Sequence, residues 1–406
     1  MTDSPTAPRD LGRAPATWAL VATVCLVAIN MRPTITSVGP LLEQIGADTG
    51  LTAATLGFLG AVPLLVWAAV SPFALAISRR FGMSATVLGA LGLLAIGTVV
   101  RSLPDPVAAL WLGTVLIGVA LALMNVLMPA VIKRDAPGRV AALMAVYTAL
   151  LGGAGAIASG VAVPLSDASP TPGDWRLALA ITGLAALPVA AGAWAWFRRS
   201  EPGRGIRPAR MPGRTGIWTD GVAWAVAGYM GVQATLFYMT LTWLAAISTS
   251  LGRSPVAAGV DVMVYQLVSI VSSLALPLVL RGRIRRWIPA LLPVLAVIGV
   301  IGLMLQPAAL SLWIVLIGLS SGASLSMALT LMADRARDHD QSTALSGMAQ
   351  SVGYIIAAAG PVAFGLAYAL TGGWLLSLGI LLAVLLAQMI IGVAAGRDRH
   401  VLTPVP

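Results

Sequence analysis

Charged side chains are scarce in this sequence, and their scarcity excludes an ordinary water-soluble domain. Asp, Glu, Lys and Arg together make up 10% of the 406 residues, whereas a soluble domain carries roughly 25%. Hydrophobic residues reach 58%. A chain of this composition cannot cover a soluble surface with polar groups. We therefore predict a polytopic membrane protein that has the lipid bilayer as its surroundings.

Cysteine and histidine are also nearly absent. The single cysteine, Cys25, lies in an apolar segment, which excludes a disulfide framework and a cysteine metal cluster. The two histidines, His339 and His400, fall in a predicted loop and in the C-terminal tail. The sequence shows neither a glycine-rich phosphate loop nor metal-ligand spacing. We therefore expect no catalytic residue, no metal and no cofactor, and the sequence does not indicate an enzyme.

Long apolar segments make up most of the sequence. A helix that crosses about 30 Å of hydrocarbon needs about 20 apolar residues. The sequence contains twelve such segments, which lie at roughly 17–42, 52–77, 84–102, 106–132, 139–165, 175–197, 217–247, 255–280, 287–306, 309–332, 342–370 and 374–395.

The basic residues predict the orientation of these segments. If both termini are cytoplasmic, all but four of the 25 Lys and Arg residues fall on the inner side of the membrane. The exceptions are Arg101, Arg176 and Arg253 on the outer side and Arg32 within the first segment. The positive-inside rule describes this asymmetry, so we predict a multi-pass protein with cytoplasmic termini. The net charge of +10 therefore reflects topology, and nucleic acid is not an expected partner.

The longest polar stretch divides the chain in two. Residues 198–216 carry six arginines among Gly and Pro and are predicted to form a flexible cytoplasmic linker. Residues 1–197 and 217–406 then form two units of six segments each. Val115–Gly118 recurs as Val315–Gly318, which suggests parallel repeats of one six-helix unit. Chance similarity between apolar segments is the alternative.

Four groups of residues carry a resemblance to a known family. They are Asn30–Pro33 with Ser37–Leu42 in segment 1, Met124–Arg134 in segment 4, Gln233, Phe237, Tyr238 and Trp243 in segment 7, and Leu345–Tyr354 with Gly360–Pro361 in segment 11. Together they resemble the cyanate and 2-nitroimidazole transporter branch of the major facilitator superfamily. The resemblance implies an all-α fold of two six-helix bundles, alternating access and a small-molecule substrate. We expect a monomer in the cytoplasmic (inner) membrane of a bacterium.

Polar side chains inside the apolar segments indicate the candidate pathway, because lipid offers them no hydrogen-bond partner. Segments 3, 6 and 9 carry almost none in their central turns, whereas segments 1, 4, 7, 8 and 11 each carry an amide or a charge. With the aromatic residues of segments 7 and 11, these form the predicted substrate-binding set: Asn30, Arg32, Asn125, Gln233, Phe237, Tyr238, Trp243, Gln266, Gln350 and Tyr354. For any single amide, the alternative is a hydrogen bond between helices.

Arg32 is the most informative member of this set, because a guanidinium cannot lose its charge by giving up a proton. Three interpretations remain open: a substrate anchor, a structural cation held by carbonyl groups, and a side chain that reaches the membrane surface. Pro33 removes a backbone hydrogen bond to the carbonyl of Ile29, so we expect a kink at this point. A kinked helix could present both Arg32 and Asn30 to one cavity.

Acidic residues fall almost entirely in the connections between segments. Asp261, near the outer end of segment 8, is the only carboxylate close to the pathway, so we expect no buried carboxylate to carry a proton. The chain is predicted to be a secondary active or facilitative transporter for a small anionic or polar planar solute, cyanate-like or nitroimidazole-like, with Arg32 as its anchor. An efflux antiporter for a small drug-like compound is the alternative.

Overall fold

The computed structural model describes residues 13–104, 107–171, 173–199, 216–280, 282–337 and 339–402. The regular structure within these ranges is helical and contains no strand, which confirms the predicted all-α fold. Twelve helices in these ranges are long and apolar enough to cross a membrane. The predicted linker, residues 198–216, lies almost wholly outside the described residues.

The spanning helices are numbered in chain order. Those of the first half are α1, in three segments (Arg13–Met31, Pro33–Thr36 and Val38–Thr49), α2 (Ala53–Phe81), α3 (Met83–Arg101), α4 (Val107–Asp135), α5 (Val140–Asp167) and α6, in two segments (Trp175–Leu184 and Leu187–Arg199). Those of the second half are α7 (Gly221–Ser250), α8 (Pro255–Val279), α9 (Ile288–Leu305), α10 (Leu310–Asp334), α11 (His339–Thr371) and α12 (Trp374–Ala395).

Some helices end at different residues from the predicted segments, because capping groups rather than hydropathy fix the ends. α1 continues past residue 42 to Thr49 and stops at Gly50, whose φ of 68° lies in the left-handed region that favours glycine. α7 begins at Gly221 instead of residue 217, since the Asp220 carboxylate accepts a hydrogen bond of 2.8 Å from the N–H of Val222. Such ends therefore do not coincide with the ends of the apolar runs that predicted the segments.

The helical path of α1 is broken near its centre, which confirms the distortion predicted from Pro33. The first segment ends at Met31, and Arg32 is the single residue between it and Pro33. The carbonyl oxygen of Arg32 accepts hydrogen bonds from the N–H groups of Ile35 and Thr36, both at 3.0 Å. The bond to Ile35 has the tighter spacing of a 3₁₀ turn. Arg32 therefore leaves the chain at a junction rather than from a regular helical face.

The contacts between the two halves come from six helices. α2 packs along α11, and α5 packs along α8. The third segment of α1 contacts α7 and α8. Within the described residues, α3, α6, α9 and α12 take no part in the extensive contacts of this kind. The central faces of α1, α2, α5, α7, α8 and α11 therefore line the boundary between the halves.

At one end of the bundle the halves touch through their backbones. We call the end where α1 joins α2 the Gly50 end, and the opposite end, where α6 ends at Arg199 and α7 begins at Gly221, the linker end. Near the Gly50 end, an ideal Cβ atom at Gly57 of α2 would lie 2.3 Å from the carbonyl oxygen of Pro361 of α11. One at Gly259 of α8 would lie 2.9 Å from the carbonyl oxygen of Ser159 of α5. Only glycine permits these approaches.

Towards the linker end the same helix faces become exposed. On α5, Gly155 is buried, whereas Thr148 and Ala145, two and three turns nearer the linker end, are exposed. On α11, Pro361 is buried, whereas Gln350, three turns nearer the linker end, is exposed. The two halves therefore diverge, and the space between them opens at the linker end.

Replacement of Gly57 by Ala tests the backbone contact at the Gly50 end. The new methyl group would lie 2.3 Å from the Pro361 oxygen and 3.2 Å from the Trp243 ring, and a backbone atom cannot rotate away. We expect Gly57→Ala to lower the free energy of unfolding by about 1–3 kcal/mol, the usual cost of overpacking. The measurement is the thermal unfolding midpoint of the purified protein in detergent.

Gly92→Ala of α3 is the matched control, because an ideal Cβ atom there meets nothing within 4 Å. Its unfolding midpoint should equal or slightly exceed that of the wild type, since alanine favours the helix more than glycine does. Equal midpoints for the Gly57→Ala and Gly92→Ala proteins would contradict the contact between α2 and α11.

Candidate functional site

Arg32 projects from the break in α1 into the space between the two halves. Its Nη1 atom donates a hydrogen bond of 3.3 Å to the hydroxyl of Tyr238 on α7. Its Cζ atom lies 5.9 Å from the centre of the Trp67 ring on α2, within the range of a cation–π contact. The guanidinium is thus held in the interior of the bundle, between groups of both halves, and does not reach the membrane surface.

Aromatic rings from four helices surround this guanidinium. Trp67 packs edge-on against Tyr354 of α11, with ring centres 5.3 Å apart, and against Tyr238, with ring centres 6.2 Å apart. The phenol groups of Tyr147 on α5 and of Tyr354 also lie close enough to interact with the charge of Arg32. We call Arg32 with these four aromatic residues the arginine cage. It draws on both halves of the protein.

Arg32 has no acidic partner within the part of the chain that the structure describes. Elsewhere, arginines near the helix ends pair with carboxylates: Arg134 with Asp135, Arg176 with Asp48, Arg253 with Asp261, Arg285 with Asp334, and Arg335 with Asp398. Removing a guanidinium from water costs several kcal/mol even in real proteins. A cation–π contact returns only about 0.5–2 kcal/mol of this. The arginine cage is therefore complementary to an anion.

Hydrogen bonds to α5 hold the broken turn of α1 in place. The hydroxyl of Thr36 donates to the carbonyl oxygen of Gly155 at 2.8 Å, and the hydroxyl of Ser159 donates to the carbonyl oxygen of Thr36 at 2.9 Å. An ideal Cβ atom at Gly155 would lie only 3.0 Å from the Cβ atom of Arg32. The glycine thus admits the root of the arginine side chain, and the two hydroxyl groups fix its position.

Of the predicted binding set, the structure brings Tyr238 and Tyr354 to Arg32. Phe237 lies behind them, with its ring centre 5.1 Å from that of Tyr238. Gln350 is exposed one turn from Tyr354 towards the linker end, and Asn125 is half-buried on α4. Neither amide hydrogen bonds to another side chain among the described residues.

The remaining four predicted residues make contacts within the helix packing. In each of them the side-chain nitrogen donates a hydrogen bond. The acceptors are the Leu26 carbonyl for Asn30 (2.7 Å), the Met230 sulfur for Gln233 (3.2 Å), the Pro361 carbonyl for Trp243 (2.9 Å) and the Ser159 hydroxyl for Gln266 (2.8 Å). Asn30 is buried against its own helix, so the break in α1 does not turn it towards the same point as Arg32. Gln266 links α8 to α5 beside the arginine cage.

Sequence reasoning missed two members of the arginine cage, Trp67 and Tyr147. The predicted set started from amides and charges within the apolar segments, and both aromatic residues count as apolar by that criterion. A usable signal exists for Trp67: tryptophan favours the membrane interfaces, whereas Trp67 lies in the middle of its span. Its indole nitrogen is buried and has no hydrogen-bond partner among the described residues. Tyr147 is buried and donates to the sulfur of Met31 at 3.3 Å.

The fold and the site between its halves define a carrier of the major facilitator type. The sequence profile of the Major Facilitator Superfamily matches residues 20–361, and the chain belongs to this superfamily. Among solved structures, the D-xylose-proton symporter superposes with a TM-score of 0.75 at 14% identity, over 94% of this chain and 96% of that chain. The protein is therefore a membrane transporter and not an enzyme.

Two curated relatives indicate which branch of the superfamily the chain resembles. The chain is 37% identical to the 2-nitroimidazole transporter of Escherichia coli (strain K12) over 384 residues. This aligned stretch covers 94% of this chain and 96% of that protein. The chain is 28% identical over 362 residues to the cyanate transport protein CynX of the same organism, which covers 88% and 92% of the two chains. These similarities confirm the resemblance found in the sequence.

Replacement of Arg32 by Met distinguishes a functional charge from a structural cation. The substitution removes an unpaired, half-buried charge and breaks a single side-chain hydrogen bond of 3.3 Å. We expect the Arg32→Met protein to unfold thermally at the wild-type midpoint or above it, because the desolvation cost of the charge disappears. A structural cation would instead give a lower midpoint.

Arg335→Met is the control for a structural arginine. Arg335 donates to the carbonyl oxygens of Ala395 and Gly396, both at 3.2 Å, and pairs with Asp398 at 3.1 Å. Its loss should lower the free energy of unfolding by about 1–3 kcal/mol, because buried carbonyl groups lose their donors. If Arg32→Met lowered the midpoint as much as Arg335→Met, Arg32 would be structural.

Proposed function

We propose that this protein carries a small planar anion across the cytoplasmic membrane of a bacterium by alternating access, with Arg32 as the substrate anchor. The observation that carries the proposal is the guanidinium held between the halves without a carboxylate partner in the described residues. A charge that costs stability at a boundary between moving parts is typical of a ligand site. Its position there makes it reachable from either side in turn.

The chemistry of the arginine cage favours a planar solute with delocalised charge. A guanidinium is flat and offers paired donors to a two-atom acceptor. Aromatic faces and edges can enclose a π-electron system beside it. The indole N–H of Trp67 adds a buried donor that no described residue uses. The solutes in the names of the two relatives, cyanate and 2-nitroimidazole, are both small polar π-systems, and cyanate is an anion.

The distribution of basic residues supports the orientation that we propose. Lys133, Arg134, Arg285 and Arg335 lie at the linker end, and the positive-inside rule places such an end in the cytoplasm. Both termini are then cytoplasmic, and the structure corresponds to a carrier closed to the outside and open to the inside. The site is complete within one chain, so we propose a monomer.

In this proposal the substrate crosses the membrane when residues 1–197 move against residues 217–406, so that the site opens to one side and then to the other. The glycines at the Gly50 end provide a smooth contact across which the halves can separate. The hydrogen bond from Arg32 to Tyr238 joins the halves across the site. A bound anion would compete for the same guanidinium and neutralise its charge. The substrate can then shift the balance between states through its different affinity for each.

The acidic residues support transport without a proton-carrying carboxylate. Among described residues, Asp261 of α8 is the buried carboxylate nearest to the pathway. It pairs with Arg253 at 2.8 Å beside the Gly50 end, and Arg253 also donates to Ser311 at 2.6 Å. A carboxylate held in this way serves as a brace between α8 and α10. We propose uniport, exchange, or coupling through the substrate itself.

Exchange of labelled cyanate in proteoliposomes tests the proposal, because exchange depends on neither direction nor coupling. We expect saturable exchange by the wild type. The Arg32→Gln protein should exchange at least about thirtyfold more slowly, since removal of one partner of a buried charge pair costs about 2 kcal/mol or more. Arg32→Lys should fall between the two, because it keeps the charge but loses the flat paired donors.

Asp261→Asn is the matched control and tests the coupling at the same time. Its rate of exchange and of net uptake under a pH gradient should stay at the wild-type level. Equal cyanate exchange by the wild type and Arg32→Gln would overturn the role of Arg32. If the wild type exchanged 2-nitroimidazole and not cyanate, the substrate would be a neutral heterocycle. Loss of gradient-driven uptake in Asp261→Asn would show a proton-carrying carboxylate.

A further inference from the structure

A second arginine is buried in the first half of the protein. The sequence places Arg101 at the outer end of segment 3, and the structure makes it the last residue of α3 and turns its side chain inward, so that only 2% of the residue is exposed. Its Nη1 atom donates to the carbonyl oxygen of Thr34 on α1 at 2.6 Å. Its Nε and Nη2 atoms are buried and have no partner among the described residues.

Arg101 lines a small cavity whose other lining residues come from α1, α2, α4 and α6. The cavity has a volume of about 20 Å³. Thr34 and Thr114 contribute the polar side chains of its wall, and Pro63, Leu110 and Ile117 contribute apolar surface. The hydroxyl of Thr34 also has no hydrogen-bond partner in the described part of the chain. A space of this size admits a single small particle, such as a water molecule or a monatomic ion, and no planar heterocycle.

The electrostatics at Arg101 favour a negative charge beside the guanidinium. Its guanidinium keeps its proton, and no described carboxylate lies within ion-pair distance. The C-terminus of α3 supplies only about half a negative charge through the helix dipole. A neutral water molecule would satisfy donors but would leave the remaining charge unbalanced, whereas a monovalent anion would do both. Burial in a low dielectric strengthens that attraction.

We propose that Arg101, with the hydroxyl of Thr34, forms a binding site for one small monovalent anion of halide size. The site is separate from the arginine cage. Arg32 and Thr34 are two residues apart and lie on different sides of α1, one towards the second half and the other towards the interior of the first half. The cavity excludes a planar heterocycle by its volume. The inference therefore does not depend on the proposed substrate.

A bound anion would also affect the shape of α1. Arg101 holds the carbonyl oxygen of Thr34 in the short segment between the two breaks. An anion that fixes the guanidinium would thereby fix this segment, from which Arg32 projects on the other side. α4 packs directly against the backbone of Arg101, since an ideal Cβ atom at Gly113 would lie 2.6 Å from the Cα atom of Arg101. The anion thus acts as a structural ligand rather than as cargo.

Thermal unfolding in different sodium salts at constant ionic strength tests the site. With chloride in place of gluconate, the wild-type midpoint should rise by about 2–4 °C, the shift expected for a ligand well above its dissociation constant. The Arg32→Gln protein should keep this shift, and the Arg101→Gln protein should lose it. The same midpoint for the wild type in both salts would overturn the proposal, and so would a chloride shift that disappears in Arg32→Gln and persists in Arg101→Gln.

Bromide offers another measurement that needs no variant, in case Arg101→Gln does not fold. Crystals of the wild type grown in sodium bromide should show an anomalous peak in the cavity, about 3–3.5 Å from the Nε and Nη2 atoms of Arg101, a little beyond ordinary hydrogen-bond distance because bromide is large. Anomalous peaks confined to other places, the arginine cage included, would overturn the proposal. Neither result bears on cyanate exchange, so this inference and the proposed function fail separately.

Discussion

The cost of holding a charge away from water governs the centre of this protein. A guanidinium cannot escape that cost by losing its proton, so Arg32 needs compensation from its surroundings. The structure supplies a phenol hydroxyl and aromatic ring faces, which offset part of the cost, and no carboxylate among the described residues. The part that remains is available to an anionic ligand, and the proposed role of Arg32 as the substrate anchor rests on it.

The backbone around Arg32 is built to keep that charge in place. Pro33 interrupts α1, and hydroxyl groups of Thr36 and Ser159 tie the interrupted turn to α5. Gly155 leaves the space that the root of the arginine side chain requires. The fixed charge therefore belongs to the first half, whereas Tyr238 and Tyr354 belong to the second. Relative movement of the halves must change the environment of the charge, which is the condition for alternating access.

Much of this architecture could be predicted from the sequence, because lipid leaves a chain few choices. Apolar length predicted the twelve spans, and Pro33 predicted the break in α1. Tyr238 and Tyr354 belonged to the predicted set because both lie in the residue groups that carry the family resemblance, on segments with polar side chains in the membrane. The surroundings of Trp67 and Arg101 could not be predicted, since Trp67 counts as one more apolar residue of a hydrophobic segment and Arg101 stands at the outer end of one, where an arginine is expected to face water. Only packing shows that Trp67 faces a charge and that Arg101 turns inward.

A crystal structure of the protein with selenocyanate would test the central claim most directly, since selenium reports its own position by anomalous scattering. The account predicts a selenium peak between the halves, with the anion in contact with the Arg32 guanidinium and beside the rings of Trp67 and Tyr354. The Arg32→Gln protein should show no such peak. Selenium bound elsewhere in the wild type, or bound equally well without Arg32, would contradict the account.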